Sequence, residues 1–324
     1  MKTIALAKYL PGVSRLSYGC MGLGGPHWEG TDYSVDDISQ AHQVIDTLLD
    51  LGINHLDHAD IYRSGKSEAV IGEVFKQRPE LREQFFIQSK CGIRFADEAG
   101  PHRYDQSKDW ILQSVDGILQ RLDIEYLDTL LIHRPDPLME QEDVVEAITT
   151  LTDNGKVRHF GVSNMHVGQI KFLQSHLQDP LVVNQLEMSL SQLGWLNEGV
   201  FVANPEGANV NFAPGTLEYC RNREIQLQSW GSLSQGLFSG RGLDQQPQHI
   251  HATAERVAHY AAEYQVSREA IVLAFIMRHP ALVQPVIGTV HLDRIRACAQ
   301  ASSIQLSREH WYDLFTVARG GQVP

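Results

Sequence analysis

Cysteine is scarce and scattered in this chain: Cys20, Cys91, Cys220 and Cys298 are the four found in 324 residues. No two of them form a CxxC pair, so the sequence indicates neither a zinc knuckle nor a redox dithiol, and free thiols in a reducing cytoplasm are the simplest reading. Positive charge is also in deficit. With 27 Lys+Arg against 39 Asp+Glu the formal charge is -12, which argues against a nucleic-acid or anionic-membrane surface and leaves room only for a local cationic pocket. No stretch approaches the roughly 18 apolar residues of a membrane span. The opening MKTIALAKYLPG is broken by Lys8 and Pro11 before it builds the apolar run of a signal peptide. A soluble, cytoplasmic protein is expected. Low-complexity tracts, internal repeats and linkers are likewise missing, so residues 1–324 are expected to form one domain.

What the chain does have is a rhythm. At 43% hydrophobic it can bury a large core, and a barrel of roughly 250 residues with insertions would use nearly all of it. Short apolar runs alternate with segments of helical spacing. INHLD closes on Asp57, QFFIQSK on Lys90, LDTLLIH on His133, KVRHFGVS on Ser163, VVNQLE beside Gln185, IQLQSW on Trp230 and LVQPVIG on Gly288. Ser34-x-x-Asp37 reads as a helix start, with Ile38, Ala41, Ile45 and Leu48 keeping period until Gly52. Residues 3–18 read as two short strands around Pro11-Gly12. Residues 188–213 and 231–248 read as long loops, of the kind that usually serve function. Together these predict an α/β fold, a (β/α)8 TIM barrel with a short N-terminal β-hairpin and extra C-terminal helices. In such barrels the carboxyl ends of the strands carry the chemistry.

Asp57 and Lys90 close neighbouring strands, whose ends lie roughly 5 Å apart, so they are expected to pair. Tyr62, in the loop after Asp57, can fold back over the same mouth. There an ammonium would favour the phenolate and lower the phenol's pKa, making it a general acid. His133, one strand further on, can hold a carbonyl oxygen. The glycine-rich run Gly19–Gly25 is spaced G-x-x-G-x-G-G, which is not a dinucleotide fingerprint, and is read as a turn at the barrel mouth.

The set Asp57, Tyr62, Lys90 and His133, with SKCG, LLIHRPDP and GKVRHFGVSN around it, resembles the aldo-keto reductases nearly end to end, and is most similar to a bacterial branch of oxidoreductases of that family. The resemblance implies NADP(H)-dependent reduction of a small-molecule carbonyl. Hydride passes to the carbonyl carbon from a nicotinamide lying across the mouth, and Tyr62 protonates the oxygen. It implies carboxamide contacts at Ser163, Asn164 and Gln185, an aromatic stack at Trp230, and a pyrophosphate loop over Gly231, Ser232, Leu233, Ser234, Gly236 and Leu237. An adenosine-phosphate segment falls at Gly288, Thr289, Arg294 and Cys298. A guanidinium at Arg294 can pair with a 2′-phosphate and favours NADPH, with NADH as the alternative. Gly288 stands where some members carry lysine, Cys298 where many carry asparagine, and His58 and Arg63 replace the usual Thr and Gly. Trp28, Arg94, Phe95 and Trp195, by loop position, are candidates to line the substrate. Two other readings compete. His55, Asp57, His58 and Asp60 suggest a metal-dependent hydrolase on the same barrel, and a nicotinamide-binding regulatory or redox-sensing subunit needs no turnover at all.

Overall fold

The computed structural model describes residues 3–324. Eight parallel strands close a barrel: β1 (Ser17–Gly19), β2 (His55–Asp57), β3 (Phe86–Cys91), β4 (Leu127–Ile132), β5 (Val157–Ser163), β6 (Val183–Glu187), β7 (Gln226–Trp230) and β8 (Gln284–Ile287). The ring runs in chain order, with β8 pairing back to β1 through Tyr18 opposite Ile287. Both faces of each strand are covered, and every residue of β4 is buried, which is why these segments read as continuous apolar runs rather than alternating ones. Helices pack outside. The first, Val35–Asp50, begins where its sequence says it should: Ser34 Oγ accepts from Asp37 N at 3.2 Å and Asp37 Oδ2 accepts from Ser34 N at 2.8 Å, a reciprocal capping box.

The expected N-terminal hairpin is not formed. Ala5–Lys8 is a 3-10 turn, and after the left-handed Gly12 the chain enters β1 directly. Ile4, Leu6, Leu10 and Val13 pack on Leu131, Val182 and Val183, and Leu6 N donates to Gln226 Oε1 at the start of β7. The segment therefore plugs the amino-terminal end of the barrel. Helical spacing of Leu6 and Leu10 meets an apolar floor there, and no strand edge is offered to pair with. The segment 188–213 also holds more structure than a loop: a short helix at Gly194–Val200 and a 3-10 turn at Pro205–Asn209. At the far end the helices Leu292–Ala299 and Arg308–Arg319 are present as expected, the second capped by Ser307 and stopped by Gly320 in a left-handed conformation.

Candidate active site

Three strand ends and one loop deliver the reacting groups. Lys90, at the end of β3, is fully buried, with its Nζ 2.8 Å from each carboxylate oxygen of Asp57 at the end of β2. The same ammonium donates to His58 O at 2.8 Å and to Tyr62 OH at 3.1 Å. Tyr62 reaches it because Arg63, Ser64 and Gly65 are all left-handed, with φ of 53°, 56° and 88°. Such a run curls the chain sharply and costs conformational energy. Side chains of the same turn hold it: the Arg63 guanidinium donates to Met21 O and Pro26 O, and Lys66 Nζ to His27 O and Glu29 O. Arg63 thus ties the β1 loop to the tyrosine turn. His58 contributes its carbonyl and buries its ring.

The electrostatics follow from burial and pairing. Burial alone would raise the Asp57 carboxyl, but Lys90 and the amides of Gln88 and Gln185 hold it below the usual range. Burial would lower Lys90, and Asp57 and Tyr62 overcome it, so the ammonium is kept. Tyr62 departs from expectation: burial raises its phenol, and Lys90 only partly opposes this. The hydroxyl therefore stays protonated at neutral pH. Because its oxygen accepts from Lys90, its hydrogen is free for another acceptor. His133 is lowered to about 3 by burial and by Lys90, so its ring is neutral. It stands edge-on to Tyr62, centroids 6.0 Å apart, and its Nδ1 is buried without a partner.

Around this centre the other expected residues sort into three groups. Ser163, Asn164, Gln185 and Trp230 do converge: Asn164, left-handed at φ 59°, donates to His133 O and accepts from Trp230 Nε1 at 3.0 Å, while Ser163 Oγ donates to Gln185 O at 2.9 Å. Gln185 Nε2 is turned to Asp57 Oδ1 at 3.1 Å, which leaves its Oε1 without a protein donor. Gly231 to Leu237 form a tight turn in which Gly231, Ser234 and Gly236 are left-handed. Ser232 faces inward, bonding Ser229 O and Val286 O. Gly288 is exposed, and Thr289 caps His291 N and accepts from Tyr18 OH through its carbonyl. Arg294 lies in the first turn of the helix Leu292–Ala299. Its neighbour Arg296 takes Asp293, and Arg294 makes no ion pair among the described residues.

Other expectations are corrected. Cys298 is fully buried in the main core, its thiol raised to about 12 by burial, so it presents nothing to a ligand. Trp195, by contrast, keeps a place beside the site: 2% exposed, it packs edge-on to Phe275 and His279 on the helix that Gly194 begins, and it also lines a cavity beside Asn164 and Trp230. Arg94 pairs with Asp97 and Asp105 and covers Trp110. With Phe95 it lines a cavity of about 610 Å³ bounded by Asp60, Ile61, Ser64, Trp110 and Arg121, whose walls do not include Tyr62, Lys90 or His133. Trp28 touches the tyrosine turn directly, with Arg63 over its ring and its carbonyl accepting from Ser64. Nor do His55, His58 and Asp60 gather as ligands. His55 bonds Ser17, and no group of three metal-binding side chains occurs among the described residues.

Sequence reading missed two features. Beside Asn164 and Trp230 opens a cavity of about 840 Å³ lined by the expected Trp195 and by Arg134, Gln192, Asn197, Asn209 and Asn211, which were not singled out. The signal was the density of asparagine between 188 and 213. The second is Arg241, whose guanidinium folds over Gly236 so closely that any Cβ there would collide with it. A basic residue directly after a glycine-rich loop was the clue.

Comparisons with known proteins show the family. The sequence model of the "Aldo/keto reductase family" matches residues 15–317. The chain is 34% identical to the 6-dehydroglucose reductase of Agrobacterium fabrum over 332 residues, covering 100% of both, and 33% identical to the uncharacterized oxidoreductase YcsN of Bacillus subtilis over 328 residues, again covering 100% of both. Among solved structures, an aldo/keto reductase from Klebsiella pneumoniae in complex with NADP and acetate superimposes with a TM-score of 0.72 at 20% identity, over 96% of this chain and 93% of that one. That likeness is one of fold. With a family match over nearly its whole length and full-length bacterial relatives, this chain belongs to the aldo/keto reductase family of oxidoreductases.

Proposed function

We propose that the protein is an NADPH-dependent carbonyl reductase in which Tyr62 is the proton donor. The observation that carries this reading is one ammonium, Lys90 Nζ, bonded at once to Asp57 and Tyr62 within a buried pocket. Bound beside them, a reduced nicotinamide supplies a hydride to the carbonyl carbon. The chain's own groups do the rest. Tyr62 hands its proton to the carbonyl oxygen, and the phenolate that forms is stabilised by the ammonium 3.1 Å away. Asp57 keeps Lys90 charged and in place. Neutral His133 offers a ring N–H to the same oxygen and fixes its direction. Its rate role should be independent of pH near neutrality, since it titrates at about 3.

The residues present fit the cofactor. Gln185 Oε1 and Ser163 line the place of a carboxamide, and Trp230, pinned through its N–H to Asn164, offers a flat face. The left-handed turn over Gly231 to Gly236 turns backbone toward an anion, with Arg241 across it. Arg294, unpaired in a chain of charge -12, suits a 2′-phosphate, and the Klebsiella pneumoniae protein is a complex with NADP. Replacing Arg294 with Ala should weaken NADPH by roughly tenfold or more, in line with a charge-assisted pair, and change NADH little. Titration of both nucleotides by tryptophan fluorescence reads this. Equal losses would remove Arg294 from the 2′-phosphate.

For the substrate, amides and charges lining the 840 Å³ cavity favour a hydroxylated carbonyl compound over an apolar aldehyde. The Agrobacterium fabrum relative is named for such a compound. NADPH consumption scanned over aldehydes, quinones, dicarbonyls and keto-sugars tests activity and class together. The highest kcat/KM is expected on hydroxylated carbonyls, and a preference for aryl or alkyl aldehydes would contradict it. Four free, buried cysteines support a reducing, cytoplasmic setting, and no helix of the described residues is long and apolar enough to cross a membrane. We take residues 1–324 as one functional unit.

A further inference from the structure

Beneath the reacting groups lies an arrangement of amides that packing alone does not require. Gln88, Gln185, Gln228 and Gln284 are all buried in the barrel interior, on β3, β6, β7 and β8. Register sets them side by side: Asp57 faces Gln88, Gln185 faces Gln228, and Gln284 faces Gln228. Gln284 Nε2 donates to Ser14 O at 2.7 Å, and Gln228 Nε2 donates to Gln284 Oε1 at 3.0 Å. Gln228 Oε1 then accepts from both Gln88 Nε2 at 2.8 Å and Gln185 Nε2 at 3.0 Å. Those same two nitrogens donate their remaining hydrogens to Asp57 Oδ1, at 2.6 and 3.1 Å.

The direction of every amide in this chain is fixed by its ends. A backbone carbonyl and a carboxylate can only accept, so nitrogen must face Ser14 at one end and Asp57 at the other. An amide NH2 has two hydrogens. Gln88 and Gln185 each spend one on Asp57, and the second needs an acceptor in a site closed to water. Gln228 Oε1 is that acceptor for both. Without it, each amide would bury an orphan N–H, and turning the amide over would aim a carbonyl oxygen at a carboxylate.

We infer that Gln228 is a positioning residue for the proton-transfer site, holding Gln88 and Gln185 so that both donate to Asp57 and so aim its carboxylate at Lys90. The inference rests on the reading of Asp57, Lys90 and Tyr62 as that site. It also explains why Gln185 presents oxygen, not nitrogen, to the cofactor side.

The test compares Gln228→Met with Gln226→Met. Gln226 is as deeply buried on the same strand, but bonds Leu227 O, Leu282 O and Leu6 N and has no link to Asp57. Carboxyl ¹³C NMR follows the Asp57 titration, assigned by loss of its signal in Asp57→Asn, alongside the pH profile of kcat/KM. Hydrogen bonds from the two glutamines depress the Asp57 pKa, so Q228M should raise that titration and move the acid limb upward by about one pH unit. Q226M should lower stability without moving either. An Asp57 titration unchanged in Q228M, or shifted equally in both variants, overturns the inference. Should Q228M fail to fold, Gln284→Met removes the next link and should shift Asp57 in the same direction by less; no shift there overturns it equally. If the wild type reduces no carbonyl, the functional reading fails, while the NMR titration still decides whether the amides aim Asp57.

Discussion

Replacing Tyr62 with Phe should cut kcat for carbonyl reduction by about 10²–10⁴-fold, the range that a single positioned proton donor contributes, while NADPH affinity stays unchanged. The two effects separate because the phenol ring and its edge-on contact with His133 survive the change and only the hydroxyl is lost. That hydroxyl is buried, its oxygen committed to Lys90, and protonated throughout the neutral range, so it is held ready as the donor. Single-turnover kinetics with saturating NADPH, together with nucleotide titration, check both halves. A variant that keeps most of its rate would remove Tyr62 from the proton transfer, and a variant that loses NADPH binding would show the ring, not the hydroxyl, to be the working part.

Lys90→Met has the second large effect, on stability as well as rate. It leaves a carboxylate that is 2% exposed with two amide donors and no cation, and breaking a buried pair from one side typically costs about 3–5 kcal/mol. The pH dependence carries the signature. In the wild type the folded Asp57 pKa lies below its unfolded value, so the stability from the pair is complete above the unfolded pKa of about 3.9 and is lost as pH falls through the depressed value. In the variant, burial is opposed only by the amides of Gln88 and Gln185 and raises the folded pKa, so stability is greatest in acid and falls as pH rises. The gap between the two proteins, measured by urea unfolding, should therefore be widest at neutral pH and narrow on acidification. A gap that is constant with pH would mean that Asp57 and Lys90 do not interact as described.

Much of this site was legible in the sequence because a parallel barrel leaves a simple trace. Strands covered on both faces must be apolar, so a Lys, Asp or His that closes such a run stands out, and the strand order brings those residues to one rim. The roles proposed for the glycine-rich turn and Arg294 came instead from the family resemblance. Where the reading failed, tertiary contact overrode local pattern. Residues 3–18 have the punctuation of a hairpin, but the floor of the barrel offered Leu6 and Leu10 an apolar surface and no edge to pair with. Cys298 is correctly placed along the chain but lies on the inward face of a short helix, which position in a motif does not disclose. Tyr62 was expected to be shifted downward by Lys90, and depth of burial, invisible in sequence, reversed the sign. The glutamine chain left almost no trace, since a polar residue inside a strand reads as a solvent-facing one until the barrel closes around it.

The central claim is that hydride arrives at a carbonyl carbon where Tyr62 protonates the oxygen. NADPH deuterated at C4 of the nicotinamide, incubated with the wild-type protein and its best carbonyl substrate, tests this most directly by mass spectrometry of the product alcohol. The account predicts one deuterium on the former carbonyl carbon, with transfer slowed by about 10²–10⁴-fold in Tyr62→Phe. An alcohol without deuterium, or transfer undiminished in that variant, would contradict it.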